Sequence, residues 1–180
     1  MNVCVFCGSA TGRHARYADA ARTVGELIAI QGHTLVYGGG NIGLMGIVAD
    51  SALKHGGKVI GVIPDFLMKR EVGHRGLTEL VIVDSMHERK KKMADLADVF
   101  IALPGGWGTL DELAEILTWR QLSLVNQPIG LLNLNGFFTS MMDQMRTMSD
   151  EGFLGAENLK FLTAEDSPAK LLTALGVVTV

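Results

Sequence analysis

The sequence predicts an α/β fold, a doubly wound Rossmann-like parallel sheet in a single domain, and three observations carry that expectation. Short apolar runs alternate with longer segments of helical period along the chain. The runs are continuously apolar rather than alternating, as strands covered on both faces should be. Glycine, which supplies 22 of the 180 residues, concentrates where those runs end.

Taken in order, Val3–Phe6 is the first buried strand, and residues 14–31 follow with helical spacing. Thr34–Tyr37 and Lys58–Ile63 are the next two strands, with a helix over 43–56 between them. The stretch from Pro64 to Leu77, with Lys69-Arg70-Glu71 and Gly73-His74-Arg75-Gly76, has weak pattern and reads as a loop or short helix near the sheet edge, of the kind that often covers a ligand. Leu80–Val83, a helix over 85–97, Val99–Leu103, a helix over 109–124, Ile129–Leu132 and a helix over 136–151 continue the alternation. Ser167–Leu175 closes the chain as a helix after a last short strand. Gly or Pro stands near most joins, as helix and strand ends require. No repeat or linker divides the chain, so residues 1–180 are expected to form one Rossmann-like domain.

Composition narrows the function. With 48% hydrophobic and 19% charged residues, the chain has the makings of a generous core. The net charge of −3 and a single basic run, Arg89-Lys90-Lys91-Lys92, argue against nucleic acid as partner but leave room for a small anion. Met1-Asn2-Val3-Cys4-Val5 reads directly into a strand without a basic leader, and no apolar run approaches a membrane span, so a cytoplasmic protein without membrane contact is expected. Cys4 and Cys7 spell C-x-x-C, yet both fall on or at the end of one strand, whereas a redox pair wants its first sulfur at a helix N-terminus. The five histidines lack metal-ligand spacing, and no metal is implied.

Three segments carry chemistry. Tyr37-Gly38-Gly39-Gly40-Asn41-Ile42-Gly43-Leu44-Met45-Gly46 contains G-x-G-x-x-G between a strand and a helix, so Gly39, Gly40 and Asn41 are candidates to approach a phosphate. A tight strand-to-helix connection explains the same residues about as well. Leu103-Pro104-Gly105-Gly106-Trp107-Gly108-Thr109-Leu110-Asp111-Glu112 says more, because a strand, three glycines, a hydroxyl and two carboxylates arrive together. Successive N–H groups there can cradle an anion. Thr109-x-x-Glu112 also reads as a capping box, which accounts for those two residues but not for Gly105, Gly106 and Gly108. Beside a phosphate Glu112 would have to face another part of the ligand, and a ribose fits: a carboxylate near C1' stabilises the oxocarbenium character of glycosidic cleavage. In Met86-His87-Glu88-Arg89-Lys90-Lys91-Lys92-Met93, Arg89 and Lys90 interrupt an apolar stripe marked by Met86, Met93 and Ala97, and buried cations need anionic partners.

Together P-G-G-W-G-T-L-D-E, the upstream M-H-E-R-K and the earlier Y-G-G-G-N-I-G-L-M-G resemble the Lonely Guy family of phosphoribohydrolases over nearly the whole chain. The resemblance implies a Rossmann-like homodimer that releases a free base and ribose 5-phosphate from cytokinin riboside 5'-monophosphates, some members acting on adenosine monophosphate, and often mislabelled as lysine decarboxylases. It implies Arg89 and Glu112 as the catalytic pair and Lys90 as their basic neighbour. It makes Gly106 to Glu112, with Trp107, Leu110 and Asp111, the nucleotide-binding turn, and Thr118 and Glu71 further substrate contacts. The expected protein is thus an N-glycosidase acting on a nucleoside 5'-monophosphate with water, without cofactor or metal. The alternatives are a nucleosidase acting mainly on adenosine monophosphate and a nucleotide or cofactor carrier on the same fold. Lysine decarboxylation would need pyridoxal phosphate on a Schiff-base lysine, which a basic helix does not establish.

Overall fold

The computed structural model describes residues 1–71 and 73–178, and of Glu71 the backbone alone. Seven strands, β1 (Asn2–Phe6), β2 (Thr34–Tyr37), β3 (Lys58–Pro64), β4 (Glu79–Val83), β5 (Val99–Ala102), β6 (Ile129–Leu132) and β7 (Leu162–Glu165), form one sheet in the order β4-β3-β2-β1-β5-β6-β7. Every pairing is parallel. The helices are α1 (Ala15–Ile30), α2 (Gly43–Lys54), α3 (Asp65–Glu71), α4 (Met86–Leu96), α5 (Trp107–Gln121), α6 (Thr139–Asp150) and α7 (Pro168–Ala174). The expected doubly wound α/β class is the one observed. The patternless stretch after β3 resolves into short α3, and Ser167 caps α7 by accepting from Lys170 N.

Alternation along the central strands builds two cores. Val3 and Val5 of β1 point with Leu35, Tyr37, Val59 and Ile101 towards α1, α2 and α7. Cys4 and Phe6 point the other way, with Val36, Phe100 and Met93, towards α4 and α5. Burial on both faces is why these runs carry no polar alternation. The same alternation sends the two cysteines to opposite cores, and both are free thiols. Among the described residues no helix is long and apolar enough to cross a membrane, and no group of three or more His, Cys, Asp or Glu could hold a metal ion.

Strand order reverses between β1 and β5, the strands from β1 to β4 running to one side and β5 to β7 to the other. A parallel sheet opens a crevice beyond the carboxyl ends of its strands at such a point. Here Gly8, just past β1, donates its N–H to the carbonyl of Pro104, just past β5, at 3.2 Å. The two glycine-bearing ends therefore meet at the crevice.

Candidate active site

A cleft of about 180 Å³ opens at that junction, lined by Cys7, Gly8 and Ser9 from the end of β1, Gly38 from β2, Arg89 from α4, and Gly106 to Thr109 with Glu112 from α5. Met45 and Leu67 add apolar wall, and Trp107, 88% exposed, stands at the rim.

Arg89 is buried, and main-chain oxygens hold it. Its Nε donates to the carbonyl of Val62 at 3.1 Å and its Nη2 to that of Gly38 at 2.9 Å. Both carbonyls lie at strand ends. A Cβ on Gly38 would stand 1.8 Å from Arg89 Nη2, so only glycine leaves room for this guanidinium. The remaining nitrogen, Nη1, faces Glu112 Oε1 at 3.8 Å, an ion pair whose side chains are 8% and 9% exposed. Burial pushes the Glu112 carboxyl up to about 7, against the pull of Arg89. Burial likewise pushes the Cys7 thiol up, with Glu112 adding to the effect, so Cys7 is protonated and no nucleophile.

The two glycine turns, so similar in sequence, are not equivalent in space. At the start of α2 the N–H groups of Leu44 and Met45 donate to the carbonyl of Gly8, at 3.0 and 3.4 Å. Gly43, at φ +64°, packs where a Cβ would meet the backbone of Ser9 at 2.2 Å. Gly39 accepts from His74 N, and Gly40 forms a bridge with Gly73. This turn is a packing joint, with the N–H groups of Leu44, Met45 and Gly46 engaged by main-chain carbonyls. Gly39, Gly40 and Asn41 do not line the cleft, and Gly38 of the same run does.

The start of α5 differs. It begins at Trp107, two residues before its expected start, its N-cap is Gly106, and no side chain caps it. Thr109 and Glu112 are therefore not a capping box: the carboxylate lies beyond the first turn and faces Arg89 instead. Among the described residues the N–H groups of Trp107, Gly108 and Thr109 find no acceptor. The Thr109 hydroxyl, on a residue 2% exposed, is buried without a partner. Gly106 and Gly108 have open space where a side chain would stand. The free backbone donors and dipole of this helix start line the cleft, with the orphan hydroxyl buried beside them against Gly105, an arrangement that suits an anion.

The other expected site residues lie elsewhere. Lys90 donates to Asp111 Oδ2 at 3.0 Å and pairs with Glu115 Oε1 at 3.2 Å, so it and Asp111 engage each other across α4 and α5 rather than the cleft. Leu110 and Thr118 face an apolar groove between α5 and α6, and Thr118 donates to the Ala114 carbonyl. Gly105 stands behind the cleft wall, where a Cβ would meet Thr109 Oγ1 at 2.1 Å. The side chain of Glu71 lies outside the described residues. Sequence reasoning missed Val5, Cys7, Gly8, Ser9, Gly38, Met45 and Leu67; of these Gly8 and Gly38, glycines just past buried strands, carried a signal.

A family model described as "Possible lysine decarboxylase" matches residues 45–175. The rice (Oryza sativa subsp. japonica) cytokinin riboside 5'-monophosphate phosphoribohydrolase LOG is 46% identical over 173 residues, covering 96% of this chain and 72% of its own. Arabidopsis thaliana LOG4, of the same described activity, is 42% identical over 96% of this chain and 80% of its own. Among solved structures, the molybdenum cofactor carrier protein of Chlamydomonas reinhardtii aligns with TM-score 0.75 at 20% identity, covering 97% of this chain and 95% of its own. The molybdenum cofactor binding protein of Rippkaea orientalis aligns with TM-score 0.71 at 22% identity, over 97% and 93%. At that identity the likeness is one of fold.

Proposed function

This chain belongs to the LOG family of phosphoribohydrolases, and from that premise we propose that it hydrolyses the N-glycosidic bond of cytokinin riboside 5'-monophosphates, with Arg89 and Glu112 at the reacting ribose. The observation that carries the assignment of parts is the free N-terminus of α5, with the orphan Thr109 hydroxyl, standing in one cleft with a buried arginine–glutamate pair.

In this reading the 5'-phosphate sits on the N–H groups of Trp107, Gly108 and Thr109. Glu112, ionised, lies beside C1'. As the C1'–N bond breaks, its electron pair leaves with the base, and the carboxylate stabilises the positive charge that develops on the ribose. Water oxygen bonds to C1', one of its protons ends on the base, and ribose 5-phosphate remains. Arg89, fixed by Gly38 and Val62, holds Glu112 in place and offsets the charge of the ligand. The cleft accommodates the sugar phosphate, leaving the base at the rim with Trp107. No lysine lines it, among the described residues, so it does not fit an aldehyde cofactor held as a Schiff base.

A homodimer belongs to the same reading. α6 has no buried residue, yet Met141, Met145 and Met148 run down one face of it and, with Leu110, Leu117 and the 85%-exposed Phe153, line an apolar groove of about 440 Å³. A second copy presenting the same face would cover it.

Incubation with isopentenyladenosine monophosphate, adenosine monophosphate and the unphosphorylated riboside, with assay of free base and ribose 5-phosphate, tests the activity. Release from the first well above the others is expected. Preference for adenosine monophosphate would move the substrate to the plain purine nucleotide, tight binding without release would make the protein a carrier, and equal cleavage of the riboside would remove the phosphate role of α5.

A further inference from the structure

Beside the cleft, between α4 and α5, lies a second charged cluster. The Lys90 side chain is only 10% exposed, and its ammonium meets Asp111 at 3.0 Å and Glu115 at 3.2 Å. Lys90 adjoins Arg89 in sequence. Asp111 and Glu115 bracket Glu112, one residue before it and three after, on the same helix. Among the described residues the second oxygen of Glu115 is buried without a partner, and Lys90 is the cation that carboxylate meets.

We propose that Lys90 is a positioning residue: shared by Asp111 and Glu115, it ties α4 to α5 so that Arg89 and Glu112 face each other, and it cancels the two carboxylates that flank Glu112. The role in catalysis rests on the reading of Arg89 and Glu112 given above; the electrostatic part does not.

Geometry first separates this from direct contact with substrate. Lys90 does not line the cleft, and its ammonium is spent on two acceptors of α5. Burial opposes the charge of Lys90, but the bonds from Asp111 and Glu115 outweigh it and hold its pKa above the ordinary lysine value. The cation is therefore permanent at any working pH. Its neighbour is not. The charged groups that act on Glu112 are Arg89 and Lys90 from α4 and Asp111 and Glu115 from α5; the thiols of Cys4, within β1, and Cys7, just past it, feel its charge but are held neutral by burial. Both cations favour the ionised carboxylate, whereas Asp111 and Glu115 oppose it. With Lys90 gone, two uncompensated negative charges would lie beside a carboxyl that burial already holds near 7.

The test uses Lys90→Met, which keeps the volume without the charge, and Glu115→Gln, which removes a negative charge and keeps the shape. A carboxyl NMR titration of Glu112, assigned from a Glu112→Gln spectrum, should move up in Lys90→Met and down in Glu115→Gln, with the double variant between them. In kinetics, Lys90→Met should lose about fivefold in kcat/KM at neutral pH, because a rise of one unit from about 7 cuts the ionised fraction of Glu112 from about a half to about a tenth. Its Kd for ribose 5-phosphate should change by less than about threefold, and adding Glu115→Gln should restore part of the rate. An unmoved Glu112 titration, or a loss of ribose 5-phosphate affinity of roughly tenfold without rescue, would overturn the proposal in favour of direct ligand contact. If Lys90→Met does not fold by circular dichroism, the downward shift in Glu115→Gln decides alone. If the wild-type protein releases no base, the reading of the cleft fails while the titrations still judge the electrostatic role of Lys90.

Discussion

Glu112 is the residue on which rate and stability pull in opposite directions. Its carboxyl titrates near 7 in the fold against 4.5 for an ordinary glutamate, because burial outweighs the attraction of Arg89. The folded-state value is the higher one, so the stabilising contribution is complete below about pH 4.5 and is lost as pH rises through about 7, by about 3 kcal/mol at most. Glu112→Gln removes this component: melting curves should show the wild type losing stability between pH 5 and 8 relative to the variant. Activity runs the other way, kcat/KM of the wild type rising with pH through about 7, while Glu112→Gln loses roughly a hundredfold or more. A variant of near-wild-type turnover would take Glu112 out of the mechanism. Thr109→Val tests the orphan hydroxyl beside it. Stability should hold or rise, since an unpaired buried polar group is removed, while affinity for ribose 5-phosphate falls by about tenfold. Unchanged affinity would free Thr109 of any ligand role. At this scale the sequence pointed to Arg89 through a charge that breaks an apolar stripe and to Glu112 through the glycine turn that precedes it, and the structure brings the two together in one cleft. Lys90 pairs with Asp111 and Glu115, a partnership the sequence did not specify because a cation serving a ligand and one serving the neighbouring helix give the same signal.

Among the elements, the two strand-to-helix turns show where spacing stops being informative. Both carry glycines after a buried strand, and each suggests a phosphate site. What separates them is the carbonyl of Gly8, which takes two of the first-turn donors of α2, those of Leu44 and Met45, and none of α5. Gly8 belongs to a different strand from either turn, so no local motif records its choice. Alanine substitution should expose the difference. Gly43→Ala, at positive φ and against the Ser9 backbone, should cost roughly 1–3 kcal/mol or more in a denaturation experiment. Gly108→Ala meets open space within a helix, so stability should rise by up to about 1 kcal/mol while the new methyl weakens ribose 5-phosphate binding. If Gly108→Ala binds normally, the anion does not approach this turn. Buried strands were the most legible elements, being apolar throughout. The start of α5 was not, because Gly106, Trp107 and Gly108 are poor helix formers held by the crevice rather than by propensity.

For the whole molecule, the unburied face of α6 makes association the expected state. Sedimentation at micromolar concentration should show a dimer, and Met145→Glu, which puts a charge into the apolar groove, should yield a folded monomer. A wild-type monomer would leave Phe153 and the methionine stripe without explanation. Alternation of strand and helix announced the layered architecture, but the position of the reversal in strand order depends on pairings between distant segments that no window of sequence contains. That reversal also sets a schedule. The strands from β1 to β4 are joined by successive parallel crossovers and can assemble among near neighbours, whereas β1 finds β5 only when Val3 registers with Val99 and the first half of the chain waits on the second. Arg89 and its two anchoring carbonyls precede that closure, and Glu112 follows it. With Glu112 in its proposed role, catalytic activity should return on refolding no earlier than the β1–β5 ladder, and a nascent chain that ends before Glu112 should release no base.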